Sequence, residues 1–126
     1  MPRILLVDDD PDILDIIRLD LEDDPDNKVE VCRSGQEALL LVEQQKFDVI
    51  ISDMRMPKMN GLIFIKKLRA MGSDSVVIIY SGQGMGSDIR EALESGADHY
   101  LRRSGDPETE FSELHRIIRK SPVKRV

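Results

Sequence analysis

The sequence predicts an α/β fold in which a doubly wound sheet of five parallel strands is covered by five helices. Short apolar runs rich in β-branched residues alternate with longer stretches of helical period along the 126 residues, which is the pattern of repeated strand–helix units. The connections between them are short, so right-handed crossovers are expected. No internal repeat or linker precedes residue 121, so one domain is expected over residues 1–120, with residues 121–126 as a C-terminal tail or the start of a linker.

Five runs are the predicted strands, and their composition indicates where each lies in the sheet. The first, third and fourth runs are almost continuously apolar, which is typical of central parallel strands covered on both faces. The second run alternates more between apolar and polar residues, so it is expected at an edge. The fifth run is the least strand-like. In chain order the runs cover residues 3–8, 28–33, 47–52, 75–80 and 98–102.

The first two predicted helices begin with capping signals. Asp10 is placed to cap the first helix, with Pro11 at the first helical position, where a missing N–H costs nothing. Ser34 and Glu37 have the spacing of a capping box at the start of the second helix. The apolar stripes of these helices comprise Ile13, Ile16, Ile17 and Leu21 in the first, and Ala38, Leu39 and Val42 in the second.

Three further helices are predicted from apolar residues at helical spacing. The third ends near Gly72, the fourth runs from Ser87 to Gly96, and the fifth begins at residues 106–107, an Asp-Pro pair. Their apolar stripes comprise Leu62, Ile65 and Leu68 in the third, Ile89, Ala92 and Leu93 in the fourth, and Phe111, Leu114, Ile117 and Ile118 in the fifth.

Composition excludes several classes of function. A net charge of −6 argues against nucleic-acid binding by the body of the domain. The single cysteine, Cys32, excludes an internal disulfide and suits a reducing compartment. The apolar run at residues 4–7 is too short for a signal peptide or a membrane span. We therefore expect a soluble, cytoplasmic protein.

Acidic side chains follow two of the predicted central strands. Asp8 and Asp9 follow the first strand, Asp53 the third, Ser81 the fourth and the arginines at 102–103 the fifth. The carboxyl ends of parallel strands share one edge of the sheet, so these groups are expected to meet. Two like charges ~4 Å apart repel by about 4 kcal/mol at an effective dielectric constant near 20. Hard oxygen ligands in this number suit Mg²⁺, beside which one carboxylate can act as a nucleophile toward a phosphoryl group.

Plainer roles stay open for the same residues. Asp8 and Asp9 also fit a solvated acidic turn before a helix N-terminus. Asp53 fits a cap for the turn before Pro57. Ser81 fits the start of a glycine-rich loop, which lacks the lysine and hydroxyl residue of a phosphate-binding P-loop.

Four segments together resemble the receiver domain of two-component response regulators. They are "LLVDDD" at 5–10, "DMRMPKMNG" at 53–61, "IIYSG" at 78–82 and "ESGADHYL" at 94–101. The resemblance spans nearly the whole chain in the family's order and spacing. It implies a CheY-like (flavodoxin-like) sheet with strand order 2-1-3-4-5.

The resemblance also implies a phosphorylation site. Asp53 would accept a phosphoryl group from a histidine kinase or a histidine phosphotransfer protein. Mg²⁺ would be the cofactor, bound by Asp8, Asp9, Asp53 and the backbone carbonyl of Arg55. The module would catalyse this transfer itself.

The resemblance further implies a conformational switch. Ser81 would hydrogen-bond the phosphoryl oxygen, and Tyr100 would turn inward when Ser81 moves. A downstream domain or protein would read the change on the face formed by the fourth helix, fifth strand and fifth helix. Such a switch is biased by the new charge on the phosphorylated residue.

The sequence departs from the family at residues 103–104. The family has Lys-Pro there, and this chain has Arg103-Ser104. Arginine keeps the charge but is bulkier and planar, so coupling to Tyr100 is expected to differ; the sequence leaves open whether Arg103 or Arg102 replaces the lysine. The alternative function is a receiver-like adaptor that binds partners independently of phosphorylation. A flavin-binding protein is disfavoured, because the loop after the first strand is acidic where a flavin phosphate needs donors.

Overall fold

Strands and helices alternate along the whole described chain. A computed structural model describes residues 2–82, 86–103 and 105–120, without the side chain of Ser87, so the predicted tail at 121–126 lies outside the described residues. The strands are β1 (Arg3–Val7), β2 (Lys28–Cys32), β3 (Val49–Ser52), β4 (Val76–Ser81) and β5 (His99–Arg102). The helices are α1 (Pro11–Glu22), α2 (Gly35–Gln44), α3 (Gly61–Ala70), α4 (Gly86–Ser95) and α5 (Pro107–Lys120).

The strands form one parallel sheet in the order β2-β1-β3-β4-β5. This confirms the predicted fold class and strand order, and the edge position of β2. The register aligns the carboxyl ends of the strands: Val7 lies opposite Ser52, and Ser81 lies opposite Arg102. Residues that directly follow β1, β3 and β5 are therefore brought to one edge of the sheet.

Apolar layers cover both faces of the sheet. The layer on the α2–α4 side is centred on Phe64, Ile65 and Leu68 of α3 and includes Ala92 of α4. The layer on the α1/α5 side packs Leu14, Ile17 and Leu21 of α1 with Leu114, Ile117 and Ile118 of α5. Fully burying one such Leu, Ile or Phe side chain stabilises the fold by about 1.5–3 kcal/mol. None of the described helices is long and apolar enough to cross a lipid bilayer.

Two predicted core positions are wrong. Ile16 of α1 is 52% exposed and Leu93 of α4 is 45% exposed. Ile16 directly precedes the buried Ile17, and Leu93 directly follows the buried Ala92. Consecutive residues of an α-helix are rotated by about 100° around its axis, so each exposed side chain points away from its buried neighbour. α4 also begins at Gly86, one residue before the predicted start.

The helix caps largely follow the predictions. The Asp10 side chain accepts a hydrogen bond from the Asp12 N–H at 2.9 Å, and the Ser34 hydroxyl accepts one from the Glu37 N–H at 3.1 Å. The second half of the capping box differs, because the Glu37 carboxylate accepts from the N–H of Arg33. Asn60, which the sequence analysis did not identify, caps α3 through its side chain.

The turn between β3 and α3 depends on a close backbone approach at Gly61. The Gly61 N–H donates to the Met54 carbonyl at 2.7 Å. A Cβ atom at position 61 would lie 2.9 Å from the carbonyl oxygen of Asp53 and 3.0 Å from Cα of Met54. Both neighbours are backbone atoms of the segment that carries Asp53, so they cannot move without displacing it.

Gly61→Ala is therefore expected to lower the free energy of unfolding by about 1–3 kcal/mol, the usual cost of overpacking. Urea denaturation measures this change. Gly86→Ala is the matched control, because a Cβ there meets no atom of the described residues within 4 Å. Equal unfolding free energies for the two variants would contradict the close approach.

Candidate functional site

Three carboxylates meet at the carboxyl edge of the sheet, as the sequence predicts. One oxygen each from Asp8, Asp9 and Asp53 lies within 4.8 Å of the others. Asp8 is 3% exposed, whereas Asp9 and Asp53 are half-buried. The pairing with β1 continues one residue past the end of β3, since the Asp53 N–H donates to the Val7 carbonyl at 3.0 Å. Strand pairing therefore fixes the separation of the acids.

Asp8 is held from two sides. Its Oδ1 accepts a hydrogen bond from the N–H of Asp10 at 2.9 Å, and its Oδ2 accepts from the Arg103 guanidinium at 2.8 Å. Burial nevertheless raises the pKa of the Asp8 carboxyl, and the negative charge of Asp53 adds to the rise against the lowering effects of Asp10 and Arg103. The site therefore still disfavours the charged form of Asp8.

Asp53 is oriented by its own backbone. Its Oδ1 accepts a hydrogen bond from the Met54 N–H at 2.8 Å, and the Ser52 hydroxyl donates to the Asp53 carbonyl at 2.8 Å. No described residue donates to Oδ2. One carboxylate oxygen is thus fixed, and the other is available for chemistry.

The oxygen-only donor set fits a magnesium ion. Mg²⁺ prefers oxygen ligands, and protein sites commonly provide only a few carboxylates and leave the remaining positions to water or substrate. Within the described part of the chain, Asp8, Asp9 and Asp53 are the one group of side chains placed to hold a metal ion. The pKa of Asp8 stays raised by burial and by the charge of Asp53 despite the adjacent Arg103, so the guanidinium does not fully offset the cost of ionising this carboxyl.

Arg103, and not Arg102, faces the carboxylates. Its Nη2 donates to Asp8 and also to the Tyr80 carbonyl, at 2.8 and 3.0 Å, and its guanidinium carbon lies 4.7 Å from the centroid of the Tyr80 ring. Its Nε is buried and has no hydrogen-bond partner among the described residues. Arg102 is exposed, because successive side chains along a strand point to opposite faces.

Ser81 and Tyr100 lie together on neighbouring strands. Ser81 is 1% exposed at the end of β4, and its carbonyl accepts a hydrogen bond from the Arg103 N–H at 3.0 Å. Tyr100 of β5 is half-buried against the α2–α4 layer. Burial raises the pKa of Tyr100, while a hydrogen bond with the Ser81 side chain opposes that rise. The two predicted switch residues are therefore in direct contact.

A groove of about 500 Å³ opens between the turn that follows Asp53 and the start of α4. Arg55 lies exposed at this groove, with its guanidinium 3.9 Å from the Asp88 carboxylate of α4. The metal-binding role of the Arg55 backbone carbonyl stays a prediction. The residues lining the groove are Met54, Arg55, Met56, Pro57, Asn60, Leu62 and Asp88.

Sequence reasoning missed a buried polar pair next to the site. The Tyr80 hydroxyl donates to Oε1 of Glu110 at 2.5 Å, and both residues are buried. Glu110 precedes Leu114 and Ile117 at helical spacing, so an acid occupies a core-facing position of α5. This interruption of an apolar stripe is the one sequence signal for Glu110, and it does not indicate its partner.

The single cysteine and the two histidines occupy structural or surface positions. Cys32 is buried, and burial raises its pKa to about 12, so the thiol stays protonated. His115 lies 2.8 Å from Asp20, joining α5 to α1. His99 is exposed at the start of β5.

A 2-1-3-4-5 parallel sheet with three acids at its carboxyl edge defines the CheY-like class of receiver folds. The sequence profile of the response regulator receiver domain matches residues 4–115. The chain belongs to this family, the receiver domains of two-component response regulators.

Similar proteins agree with this assignment. Response regulator Rre1 of Synechocystis sp. is 32% identical over 118 residues, which are 92% of this chain and 49% of that protein. An uncharacterized 14.6 kDa protein of Leptolyngbya boryana is 35% identical over 119 residues, 93% of this chain and 87% of that protein. The chain spans about half the length of several response regulators that it matches.

Solved structures match the fold closely. The structure of the chemotaxis response regulator CheY4 of Vibrio cholerae gives a TM-score of 0.83 at 31% identity, covering 93% of this chain and 98% of that one. The receiver domain of the Francisella response regulator 1452 gives 0.83 at 29% identity, covering 95% and 98%.

The raised pKa of Asp8 predicts how the stability of the metal-free protein depends on pH. Between the unfolded pKa near 3.8 and the higher folded pKa, the folded state binds more protons than the unfolded state. The free energy of unfolding therefore falls as pH rises through this window. Asp8→Asn removes the titration, so this variant is expected to be more stable than the unsubstituted protein at neutral pH.

Urea denaturation in EDTA, from below this window to neutral pH, measures the difference. Asp26→Asn is the control, because Asp26 is exposed in the loop after α1 and should leave the pH profile unchanged. An Asp8→Asn protein that is less stable at neutral pH, or whose difference grows toward acid pH, would refute the expectation.

Proposed function

We propose that this receiver domain accepts a phosphoryl group on Asp53 in a Mg²⁺-dependent reaction, from a phosphohistidine of a histidine kinase or a phosphotransfer protein. The observation that carries the proposal is the state of the Asp53 carboxylate. Its Oδ1 is fixed by the Met54 N–H, its Oδ2 receives no described hydrogen bond, and two further acids lie within 4.8 Å.

The transfer is a displacement at phosphorus. Oδ2 of Asp53 forms the new O–P bond while the N–P bond of the phosphohistidine breaks, and the bonding electron pair leaves with the imidazole nitrogen. Asp8, Asp9 and Asp53 would hold the ion, together with the Arg55 carbonyl. Bound Mg²⁺ supplies positive charge that offsets the repulsion between the carboxylates and the phosphoryl oxygens.

Two side chains would then bind the transferred group. The Ser81 hydroxyl donates a hydrogen bond to one phosphoryl oxygen, and Arg103 donates to another. Because Ser81 is hydrogen-bonded to Tyr100, its movement changes the environment of that ring. The face formed by α4, β5 and α5 would present this change to a downstream domain or protein.

The alternative is an adaptor that binds its partners independently of phosphorylation. No described contact favours it, since the three acids remain together and Arg103 keeps the positive charge of the family's lysine beside Asp8. We also propose a cytoplasmic location, where a buried single cysteine such as Cys32 stays reduced.

Asp53→Asn is expected to abolish phosphorylation, because an amide oxygen is a far weaker nucleophile than a carboxylate. Acetyl phosphate with Mg²⁺ should add the mass of one phosphoryl group to the unsubstituted protein, as read by intact-mass spectrometry. EDTA should prevent the reaction, and Asp26→Asn should react normally. Labelling of Asp53→Asn at the normal rate would contradict the proposal, and an unlabelled unsubstituted protein would favour the adaptor.

A further inference from the structure

A hydrogen-bonded pair of polar side chains crosses the apolar layer between the sheet, α1 and α5. Tyr80 is 4% exposed and Glu110 is 8% exposed, and the Tyr80 hydroxyl donates to Glu110 at 2.5 Å. Tyr80 packs within the layer that also contains Leu14 and Leu114. Burying a carboxylate is unfavourable unless specific contacts compensate it, so an aliphatic pair would fill this space at less cost.

Arg103 connects this pair to the phosphoacceptor site. A single nitrogen, Nη2, donates to both Asp8 and the backbone carbonyl of Tyr80. The same guanidinium lies 4.7 Å from the centre of the Tyr80 ring, within the range of a cation–π interaction. Asp8, Arg103, Tyr80 and Glu110 therefore form a continuous series of contacts from the carboxylates to the first turns of α5.

We propose that Tyr80 and Glu110 are positioning residues that hold Arg103 against Asp8 in the unphosphorylated protein and carry its movement to α5. The relay, meaning the series Asp8–Arg103–Tyr80–Glu110, rests on the proposed phosphorylation of Asp53. The relay connects the phosphorylation site to α5 and is separate from the contact between Ser81 and Tyr100.

The relay responds to charge. A phosphoryl group on Asp53 places new anionic oxygens next to Asp8, and these oxygens compete with Asp8 for the guanidinium. Arg103 has a buried Nε–H that no described residue accepts, so it has a donor to offer a new acceptor. When Arg103 turns toward the phosphoryl group, it leaves the Tyr80 carbonyl and ring, and the Tyr80–Glu110 pair loses its neighbouring positive charge.

Linkage makes the effect reciprocal. Glu110 stabilises the resting position of Arg103, because its negative charge and its hydrogen bond to Tyr80 favour a cation over that ring. Tyr80→Phe removes the hydrogen bond, and Glu110→Gln removes the charge. Both variants should release Arg103 and strengthen the binding of a phosphoryl analogue at Asp53.

The first test follows Tyr80 directly. The chain has only two tyrosines and no tryptophan, so fluorotyrosine labelling gives two fluorine NMR signals, which Tyr100→Phe assigns. Beryllofluoride with Mg²⁺, a phosphoryl analogue, is expected to shift the Tyr80 signal in the otherwise unsubstituted protein. This measurement does not depend on the folding of any relay variant.

The second test compares two neighbouring glutamates of α5. Glu110→Gln and Tyr80→Phe are expected to raise the beryllofluoride affinity at least ~5-fold, the lower end of typical coupling between sites. Glu108→Gln is the matched control, since it is the same substitution two residues away, at a glutamate that is exposed. Its affinity should equal that of the unsubstituted protein.

The outcomes separate the relay from the proposed function. Binding of beryllofluoride without a shift of the Tyr80 signal overturns the relay and leaves phosphorylation intact. An affinity of Glu110→Gln equal to or weaker than that of Glu108→Gln also overturns it. If beryllofluoride does not bind at all, the proposed function fails, and the relay fails with it because it has no input.

Discussion

Repulsion between the three carboxylates at the carboxyl edge of the sheet is the constraint on which the rest of the site depends. Strand pairing places Asp8, Asp9 and Asp53 together despite their electrostatic repulsion. Asp8 directly follows β1, Asp9 follows Asp8, and Asp53 directly follows β3. Backbone N–H groups and one guanidinium compensate part of the charge. Burial still raises the pKa of Asp8, so a further cation is favoured. The parallel sheet thus brings together a group of carboxylates that no single strand provides.

Arginine in place of lysine changes how this charge is balanced. A lysine ammonium is a compact point charge, whereas a guanidinium is a planar group with several donors. Here that group contacts Asp8, the Tyr80 carbonyl and the face of the Tyr80 ring together. Tyr80 in turn bonds Glu110 of α5. These contacts connect the polar site to the α1/α5 layer.

The sequence predicted those features that depend on local pattern. Apolar runs located the strands, and acids at their ends located the site, because parallel topology alone brings strand ends together. The errors arose where a side chain's direction mattered. Ile16 and Leu93 fit apolar stripes, but the layers they would join are filled by neighbouring residues. The sequence also left open whether Arg102 or Arg103 faces Asp8. The answer depends on the residue at which β5 ends, because successive side chains along a strand point to opposite faces of the sheet.

The Tyr80–Glu110 contact needed the tertiary structure. The two residues lie on β4 and α5, 30 positions apart, and no local rule pairs a strand tyrosine with a helix glutamate. The interrupted stripe of α5 indicates that Glu110 is unusual but does not identify its partner. Tertiary packing decides such pairs, because a buried carboxylate must have a polar partner wherever the fold offers one.

A double-mutant cycle on Asp8 and Arg103 tests most directly whether this ion pair compensates the crowded carboxylates. Unfolding free energies of Asp8→Asn, Arg103→Gln and the double variant would be measured in EDTA. Residues in contact typically show coupling of about 0.5–3 kcal/mol, and a favourable coupling in that range is expected here. Effects that add within about 0.3 kcal/mol would contradict it, because Arg103 would then contribute nothing to holding Asp8.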